Sequence, residues 1–162
     1  GIREPMIVRW PGVTAPGSLC KHPVTSTDFY PTMLEMAGLP ARPDQHRDGM
    51  SFVSLLQGGF RQRGPIYWHY PHYGNQGGAP SGAVRDGRWK LIEWYEDERV
   101  ELFDLHSDVG ELRDRAAAQP ERVKAMQASL HAWLKDTESH CALFSEETNS
   151  MELLSRSKHC QP

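Results

Sequence analysis

The pattern of hydrophobic and polar positions changes character near residue 60 of the chain. Before that point, an apolar run over residues 5–10 is bracketed by prolines and predicts one buried strand. A helix is predicted next, with Ser26 or Thr27 as its N-cap and Gly38 as its end. Its apolar face has helical spacing and consists of Phe29, Met33, Leu34 and Ala37.

Beyond residue 60, the pattern predicts an antiparallel sheet followed by a long helix. The predicted strands cover residues 65–70, 82–85, 88–95 and 99–103. The helix begins at Gln119-Pro120, because proline is well tolerated in a first helical turn. A single apolar stripe on this helix would pack against the sheet, and it consists of Val123, Met126, Leu130, Trp133 and Leu134.

A hairpin signal stands between the second and third predicted strands. Asp86-Gly87 favours a two-residue type I′ turn, because both residue types accept the positive φ angles that this turn needs. The resulting register would set Val84 opposite Trp89 and Arg85 opposite Arg88. One face of the hairpin would then carry Val84, Trp89 and Leu91, and the other would carry Arg85, Arg88 and Lys90.

Composition narrows the classes of partner. The 162 residues include 18 Lys and Arg against 21 Asp and Glu, a formal net charge of −3, so a nucleic-acid partner is not expected. No apolar run approaches the roughly 20 residues needed to span a membrane, and we expect no membrane partner. Cys20, Cys141 and Cys160 fit no metal-binding spacing. Pairing of Cys141 with Cys160 and three unpaired thiols both stay open.

Four segments in the first 115 residues resemble, in order, segments of the formylglycine-dependent (type I) sulfatase family. Residues 1–12 are similar to the family's GGxRxPxxxxWPG stretch, and residues 27–40 to its DxxPTxL helix with the AG ending. Residues 83–92 and 101–111 are similar to the small C-terminal sheet, the latter to ELYDLxxDPxExxNL. The departures are Val109 in place of Pro and Asp114-Arg115 in place of Asn-Leu.

The resemblance implies an α/β fold of the alkaline phosphatase type, of which this chain is a C-terminal fragment. Residues 1–60 would be a strand-and-helix trailing segment of the large α/β domain. Residues 61–137 would be the antiparallel β subdomain with its packing helix, and residues 138–162 a poorly anchored tail. Such an excised segment would expose Met6, Val8 and Trp10, so we expect the chain to self-associate.

The resemblance also implies sulfate monoester hydrolysis, with formylglycine and calcium as cofactors of the intact enzyme. The cysteines do not supply the formylglycine precursor motif, Cys or Ser followed by x-Pro/Ala-x-Arg, since Cys20 is followed by Lys-His-Pro-Val and Cys141 by Ala-Leu-Phe-Ser. We therefore expect no catalytic residue, metal ligand or cofactor in this fragment, and no turnover by it alone. Family membership would imply a periplasmic, secreted or lysosome-like location.

The segment richest in chemistry is residues 67–78, which mixes aromatic rings, imidazoles and amides around glycines. Sugars are bound by such mixtures, and the segment resembles a loop of carbohydrate sulfatases. The candidate substrate-binding residues are His69, His72, Asn75, Gln76 and Arg85. For His69 an ordinary strand position is the favoured reading, and for His72 function and surface exposure stay equally open. Zinc binding by these two histidines is not expected, because no further Cys or His lies at a spacing that would complete a zinc site.

Two other features receive the simpler interpretation. The positive face formed by Arg85, Arg88 and Lys90 is capable of attracting an anion, but a solvated hairpin face is favoured. His131 on the long helix is expected to be exposed. The function that follows is part of a sulfatase acting on a sulfated carbohydrate. The alternatives are part of a phosphonate or phosphate monoester hydrolase, and a non-catalytic carbohydrate-binding or interaction module.

Overall fold

The computed structural model describes residues 2–75 and 77–139 of the chain. Two compact units make it up, an N-terminal unit of residues 1–63 and a C-terminal unit of residues 64–162. Gln76, Cys141, Cys160 and most of the predicted tail lie outside the described residues. The two units are considered separately below.

The N-terminal unit is mostly irregular and contains two short helices. A 3-10 turn at Ser26–Asp28 leads directly into helix α1, Phe29–Met36, and helix α2 is Val53–Leu56. The strand predicted over residues 5–10 was wrong, because residues 2–10 have no regular secondary structure and Ile7 is 96% exposed. A strand is stabilised by hydrogen bonds to a neighbouring strand, and no strand is assigned among the described residues of this unit.

Helix α1 buries a different face from the predicted one. Its buried residues are Pro31 and Thr32, whereas Phe29 and Met33 of the predicted apolar face are 37% and 61% exposed. The predicted N-cap was also displaced, since Thr25 precedes the first turn. Thr32 is buried because its hydroxyl donates to the carbonyl of Asp28 and accepts from the amide of Phe52. The helix is therefore held through polar contacts on its inner side.

A fully buried carboxylate, Asp28, organises the N-terminal unit. It accepts hydrogen bonds from the backbone amides of Thr25 and Met50 at 2.9 and 2.8 Å and pairs with the side chains of Arg61 and Arg63. Burial acts to raise the pKa of Asp28, but the hydrogen bonds from Met50, Thr25 and Arg63 outweigh it, and the pKa lies below its usual 3.8. One side chain thus ties together three separate stretches of the chain.

The C-terminal unit is a four-stranded antiparallel sheet covered by one helix, as the sequence predicts. The strand order is β1-β2-β3-β4. The strands are β1 Ile66–Tyr70, β2 Ser81–Asp86, β3 Trp89–Trp94 and β4 Val100–Asp104, and helix α3 is Pro120–Asp136. A row of buried side chains across the sheet packs against α3, and the core consists of Val84, Leu91, Leu102, Met126 and Leu130.

The β2–β3 hairpin turns one residue later than predicted. Asp86 pairs with Trp89 and Val84 with Leu91, so the loop is Gly87-Arg88 and Val84 does not oppose Trp89. Gly87 has a φ of +55°, and Arg88 is not among the positive-φ residues. A positive φ at the first loop position alone is the pattern of a type II′ turn, in which glycine leads. The predicted type I′ turn was therefore wrong.

Replacing Gly87 with Val should destabilise the chain, because a β-branched residue resists the positive φ at this position. We expect a loss of about 1–2 kcal/mol in the free energy of unfolding. Thermal unfolding measures it. Gly64→Val is the matched control, since Gly64 has no positive φ and an added Cβ there meets open space. Equal melting temperatures for the two variants would contradict the turn assignment.

Candidate functional site

The loop that joins β1 to β2 presents polar and aromatic side chains to solvent. His72, Tyr73 and Asn75 are all exposed. Two backbone hydrogen bonds shape the loop, from the Gly74 amide to the Gly78 carbonyl at 2.8 Å and from the Gly77 amide to the Gly74 carbonyl at 3.0 Å. A rim of this composition is able to stack on a sugar ring and hydrogen-bond its hydroxyls.

Aromatic contacts give the loop its shape. The Tyr70 ring, at the end of β1, meets the His72 imidazole edge to face with centroids 5.7 Å apart. Tyr73 interacts electrostatically with Glu96 in the β3–β4 turn. Burial and the negative charge of Glu96 raise the pKa of the Tyr73 hydroxyl above 10.0. The loop therefore reaches a neighbouring turn through one exposed tyrosine.

His69 lies in a different environment from His72. It is half-buried in β1, and its Nδ1 lies 2.9 Å from the hydroxyl oxygen of Tyr95. Among residues 2–75 and 77–139, no group of three or more His, Cys, Asp or Glu side chains is arranged to hold a metal. The donor set described here does not fit the divalent cation of a sulfatase, and no reaction step is assigned to such an ion in this chain.

The predicted positive hairpin face is neutralised by acidic partners. Lys90 is buried, with its Nζ 2.8 and 2.7 Å from the two carboxylate oxygens of Glu111. Arg88 lies in the turn instead and makes a bidentate pair with Asp104. The Arg88 guanidinium, helped by Ser107, holds the pKa of Asp104 well below its usual range. A solvated face was therefore the wrong interpretation for Lys90.

Arg85 is the remaining residue of that set. It is half-buried, sits opposite Lys90 in the hairpin and donates to the Gly87 carbonyl at 3.3 Å. These contacts stabilise the turn, which lies at the opposite end of β2 from the glycine-rich loop. Arg85 therefore lies apart from His72 and Asn75, although all three were predicted to contribute to one site.

A buried polar pair between the sheet and α3 was missed by sequence reasoning. Glu93 on β3 is 2% exposed, and its carboxylate lies 2.6 Å from Nε2 of His131 and 3.2 Å from the amide nitrogen of Gln127. The expectation that His131 is exposed was therefore wrong, because its ring is half-buried against Glu93. The signal was present in the strand pattern, since Glu93 follows Leu91 by two residues and shares its inward face.

The Glu93–His131 pair should make stability depend on pH. The hydrogen bond to Glu93 raises the pKa of His131 above 6.5 in the folded state. A raised pKa stabilises the fold below the unfolded value, and this contribution disappears as the pH rises through the folded pKa. Between pH 6 and pH 9 we expect the melting temperature of the wild type to fall more than that of His131→Ala, because only the wild type loses this contribution.

Parallel melting curves for the wild type and His131→Ala from pH 5.5 to 9 measure that component. His106→Ala is the control, because His106 is an exposed histidine of the same unit. Two parallel pH profiles for the wild type and the His131 variant would contradict the prediction.

Solved structures of other proteins share the fold of this chain. The structure is similar to Ps i-CgsB, solved in complex with k-i-k-neocarrahexaose, with a TM-score of 0.64 and 25% identity over 76% of this chain and 27% of that one. It is similar also to a protein solved with its substrate D-glucosamine-2-N,6-O-disulfate, with a TM-score of 0.55 and 26% identity over 68% of this chain and 24% of that one. The predicted fold class, the C-terminal part of an alkaline-phosphatase-like sulfatase, is thereby confirmed.

The sequence comparisons then define the family. Residues 1–140 match the family model described as N-sulphoglucosamine sulphohydrolase, C-terminal, and the chain belongs to this family. A protein from Formosa agariphila named "Sulfatase" is 34% identical over 150 residues, which cover 83% of this chain and 27% of that protein. The predicted resemblance is confirmed. The chain spans about a quarter of the length of the curated relatives that it matches.

A structural likeness also extends to a related kind of enzyme. The phosphonate monoester hydrolase of Silicibacter pomeroyi matches with a TM-score of 0.56 and 25% identity over 85% of this chain and 31% of that one.

The helices of the described residues include none with the length and apolar composition of a membrane span.

Proposed function

We propose that this chain is the C-terminal part of an enzyme that hydrolyses the sulfate monoesters of a sulfated carbohydrate. The observation that carries the proposal is the family match over residues 1–140. A sulfated sugar is the substrate of one structural neighbour, and a relative of 34% identity is named a sulfatase. The exposed side chains of the β1–β2 loop, His72, Tyr73 and Asn75, are of the types that recognise sugars.

The chemistry of bond cleavage lies outside this chain in the proposal. The stretch Ser81-Gly82-Ala83-Val84-Arg85 fits the bare formylglycine precursor pattern, but it forms strand β2, and no group of three or more His, Cys, Asp or Glu among the described residues is arranged to hold a metal. Formylglycine and calcium are therefore assigned to the remainder of the intact enzyme. This chain contributes recognition, through the rings and amides at the β1–β2 loop, and it should show no turnover by itself.

The test compares the intact protein with this chain alone on sulfated sugars. Release of inorganic sulfate by the intact protein, and none by the chain, is the expected result.

Phosphonate monoester hydrolysis is the second candidate, because of the likeness to the Silicibacter pomeroyi enzyme. Faster turnover of a phosphonate monoester than of any sulfate ester would favour it. A glycan array tests the non-catalytic alternative, which predicts tight binding by the chain and no hydrolysis by the intact protein.

Substitution of His72 should alter specificity more than chemistry. His72 is exposed in a loop rich in sugar-binding residue types. In the intact enzyme, we expect His72→Ala to lower kcat/KM for the sulfated sugar by roughly tenfold, the value of a good hydrogen bond to a charged or polar partner. A small aryl sulfate should lose little, because it lacks the hydroxyls that the loop contacts.

The matched control is His106→Ala, an exposed histidine of the same unit outside the loop. It should leave both substrates unaffected. Equal losses on the sugar and the aryl sulfate for His72→Ala would contradict a recognition role.

Three further expectations stay predictions. The first is the division of the chain into a trailing segment of a large domain, a β subdomain and a tail. The second is a periplasmic, secreted or lysosome-like location. The third is self-association. Exposed apolar side chains of the N-terminal unit support the last of these, since Ile7 is 96% and Met33 61% exposed. Light scattering on the chain at increasing concentration tests it.

A further inference from the structure

One face of the sheet packs against α3, and the opposite face, called the outer face, carries aromatic side chains at the end nearest the β1–β2 loop. Tyr70 lies opposite Ser81 in the register of the sheet, and Ser81 lies opposite Trp94. Each of the three is three positions from a residue of its own strand that packs on the α3 side, so strand alternation turns it to the outer face. These three residues form the outer row.

Trp94 is held in one orientation by its neighbours. Its Nε1 donates to the Glu101 carboxylate at 3.0 Å, and the guanidinium carbon of Arg99 lies 5.0 Å from the centroid of its ring. Arg99 itself pairs with Asp97 and Glu101 at 3.5 and 2.9 Å, so two carboxylates balance its charge. Fixing an aromatic ring before a ligand arrives lowers the entropic cost of binding.

Tyr70 joins the outer row to the glycine-rich loop. It is 49% exposed, and its ring meets the His72 imidazole edge to face. A Cβ added at Gly74 would lie 3.5 Å from the Tyr70 hydroxyl, and one added at Gly78 would lie 3.9 Å from its ring. The loop backbone therefore runs past the Tyr70 ring, and the exposed His72 and the outer row belong to one surface.

The spacing of the outer row suits one flat ring. Neighbouring strands lie about 4.8 Å apart, so the Cα atoms of Tyr70 and Trp94, two strands apart, are separated by roughly 10 Å. Ring-to-ring contacts are made at centroid separations of about 4.5–7 Å. A single ring above Ser81 is then within contact distance of both aromatic side chains, and the serine side chain is too short to fill that position. The apolar C–H face of a sugar ring has this size and chemistry.

We propose that Tyr70 and Trp94 form an aromatic subsite that binds the uncharged ring face of a sugar unit next to the one that the β1–β2 loop recognises. The proposal rests on the proposed function for its substrate class. Because the charge of Arg99 is already balanced, the outer row favours a sugar ring over a sulfate group. The subsite therefore makes the enzyme prefer a sulfated oligosaccharide to a sulfated monosaccharide.

The kinetic test compares two substrates of the intact enzyme, a sulfated tetrasaccharide and the sulfated monosaccharide that is its reacting unit. Trp94→Leu should raise KM for the tetrasaccharide by roughly threefold to tenfold, the range of one ring contact, with kcat little changed. The monosaccharide should keep its wild-type KM, because it does not reach the outer row. Trp94→Phe keeps a ring at this position and should stay close to the wild type on both substrates.

Tyr70→Leu repeats the test at the other ring, and Tyr30→Leu is its matched control. Tyr30 is 41% exposed, similar to Tyr70, but it lies in the N-terminal unit and should leave both substrates unaffected. If Trp94→Leu does not fold, Tyr70→Leu decides alone, because Tyr70 is the more exposed of the two rings. Equal rises in KM for the tetrasaccharide and the monosaccharide would overturn the subsite. A lower melting temperature of the intact protein with both KM values unchanged would also overturn it, since the outer row would then be a packing surface.

Failure of the proposed function is recognised separately. An intact protein that hydrolyses no sulfate ester would refute that function, and the outer row is then judged by binding of the 162-residue chain to an array of sulfated and unsulfated oligosaccharides. Weaker binding by Trp94→Leu than by the wild type would support the aromatic subsite. Equal binding by the two chains, or no binding by the wild type, would overturn it.

Discussion

Gly82→Ala should destabilise the C-terminal unit by about 2 kcal/mol or more, the usual cost of forcing extra volume into a packed site. The new methyl group would lie 2.3 Å from the Tyr95 hydroxyl, closer than any stable contact between these atoms. Either the tyrosine ring or the strand must move, and both are buried. Chemical denaturation of the 162-residue chain measures the loss.

A double variant tests whether the loss of stability comes from this clash or from any substitution in strand β2. Gly82→Ala combined with Tyr95→Phe removes the hydroxyl that the methyl group meets, so part of the lost stability should return. Gly64→Ala is the matched control, since an added Cβ at Gly64 meets open space. If the double variant were less stable than Gly82→Ala by the full effect of Tyr95→Phe alone, the two sites would be independent and the explanation would be wrong.

Asp28→Ala should unfold or strongly destabilise the N-terminal unit, by roughly 3–5 kcal/mol. The reason is that removing one partner of a buried ion pair leaves uncompensated charge behind. The Arg61 and Arg63 side chains are only 6% and 10% exposed, so both guanidinium groups would lose their negatively charged partner while still buried, although each keeps neutral oxygen acceptors. The backbone amides of Thr25 and Met50 would lose theirs as well.

Hydrogen exchange over residues 25–63 localises the effect of this substitution. Protection should fall there in Asp28→Ala, whereas the exposed Asp44 of the same unit provides a control whose replacement by Ala should change stability by no more than about 0.5 kcal/mol. Asp28→Asn keeps an acceptor oxygen and should lie between the two. Undiminished protection in Asp28→Ala would show that the ion pairs contribute little.

The C-terminal unit could be predicted from sequence because its signals are local. Alternating residues give the strands, and the stripe through Met126 and Leu130 gives the helix, so the core was foreseeable. The turn was misplaced by one residue because Asp-Gly suits more than one turn type. The φ values of Gly87 and Arg88, which decide between these types, depend on the strand pairing and not on the dipeptide.

The residues that were missed act through long-range contacts. Tyr95 and His69 are 26 positions apart, and Glu93 and His131 are 38 apart, so no local pattern joins them. Gly82 was the available clue, since glycine weakens a strand unless something occupies the space it leaves. The strand predicted over residues 5–10 failed for the opposite reason. Its local pattern was right for a strand, but pairing depends on a neighbour that the pattern does not contain.

The polar centre at Asp28 has a consequence for the response to temperature. The heat capacity of unfolding rises with exposure of apolar surface and falls with exposure of polar surface. In the N-terminal unit, Phe52 and Val53 are the buried hydrophobic side chains among the described residues, and a carboxylate with two guanidinium groups occupies the interior beside them. The sheet unit instead buries a contiguous aliphatic row. We therefore expect a smaller heat capacity of unfolding per residue for the N-terminal unit, and a stability curve that is flatter than that of the sheet unit.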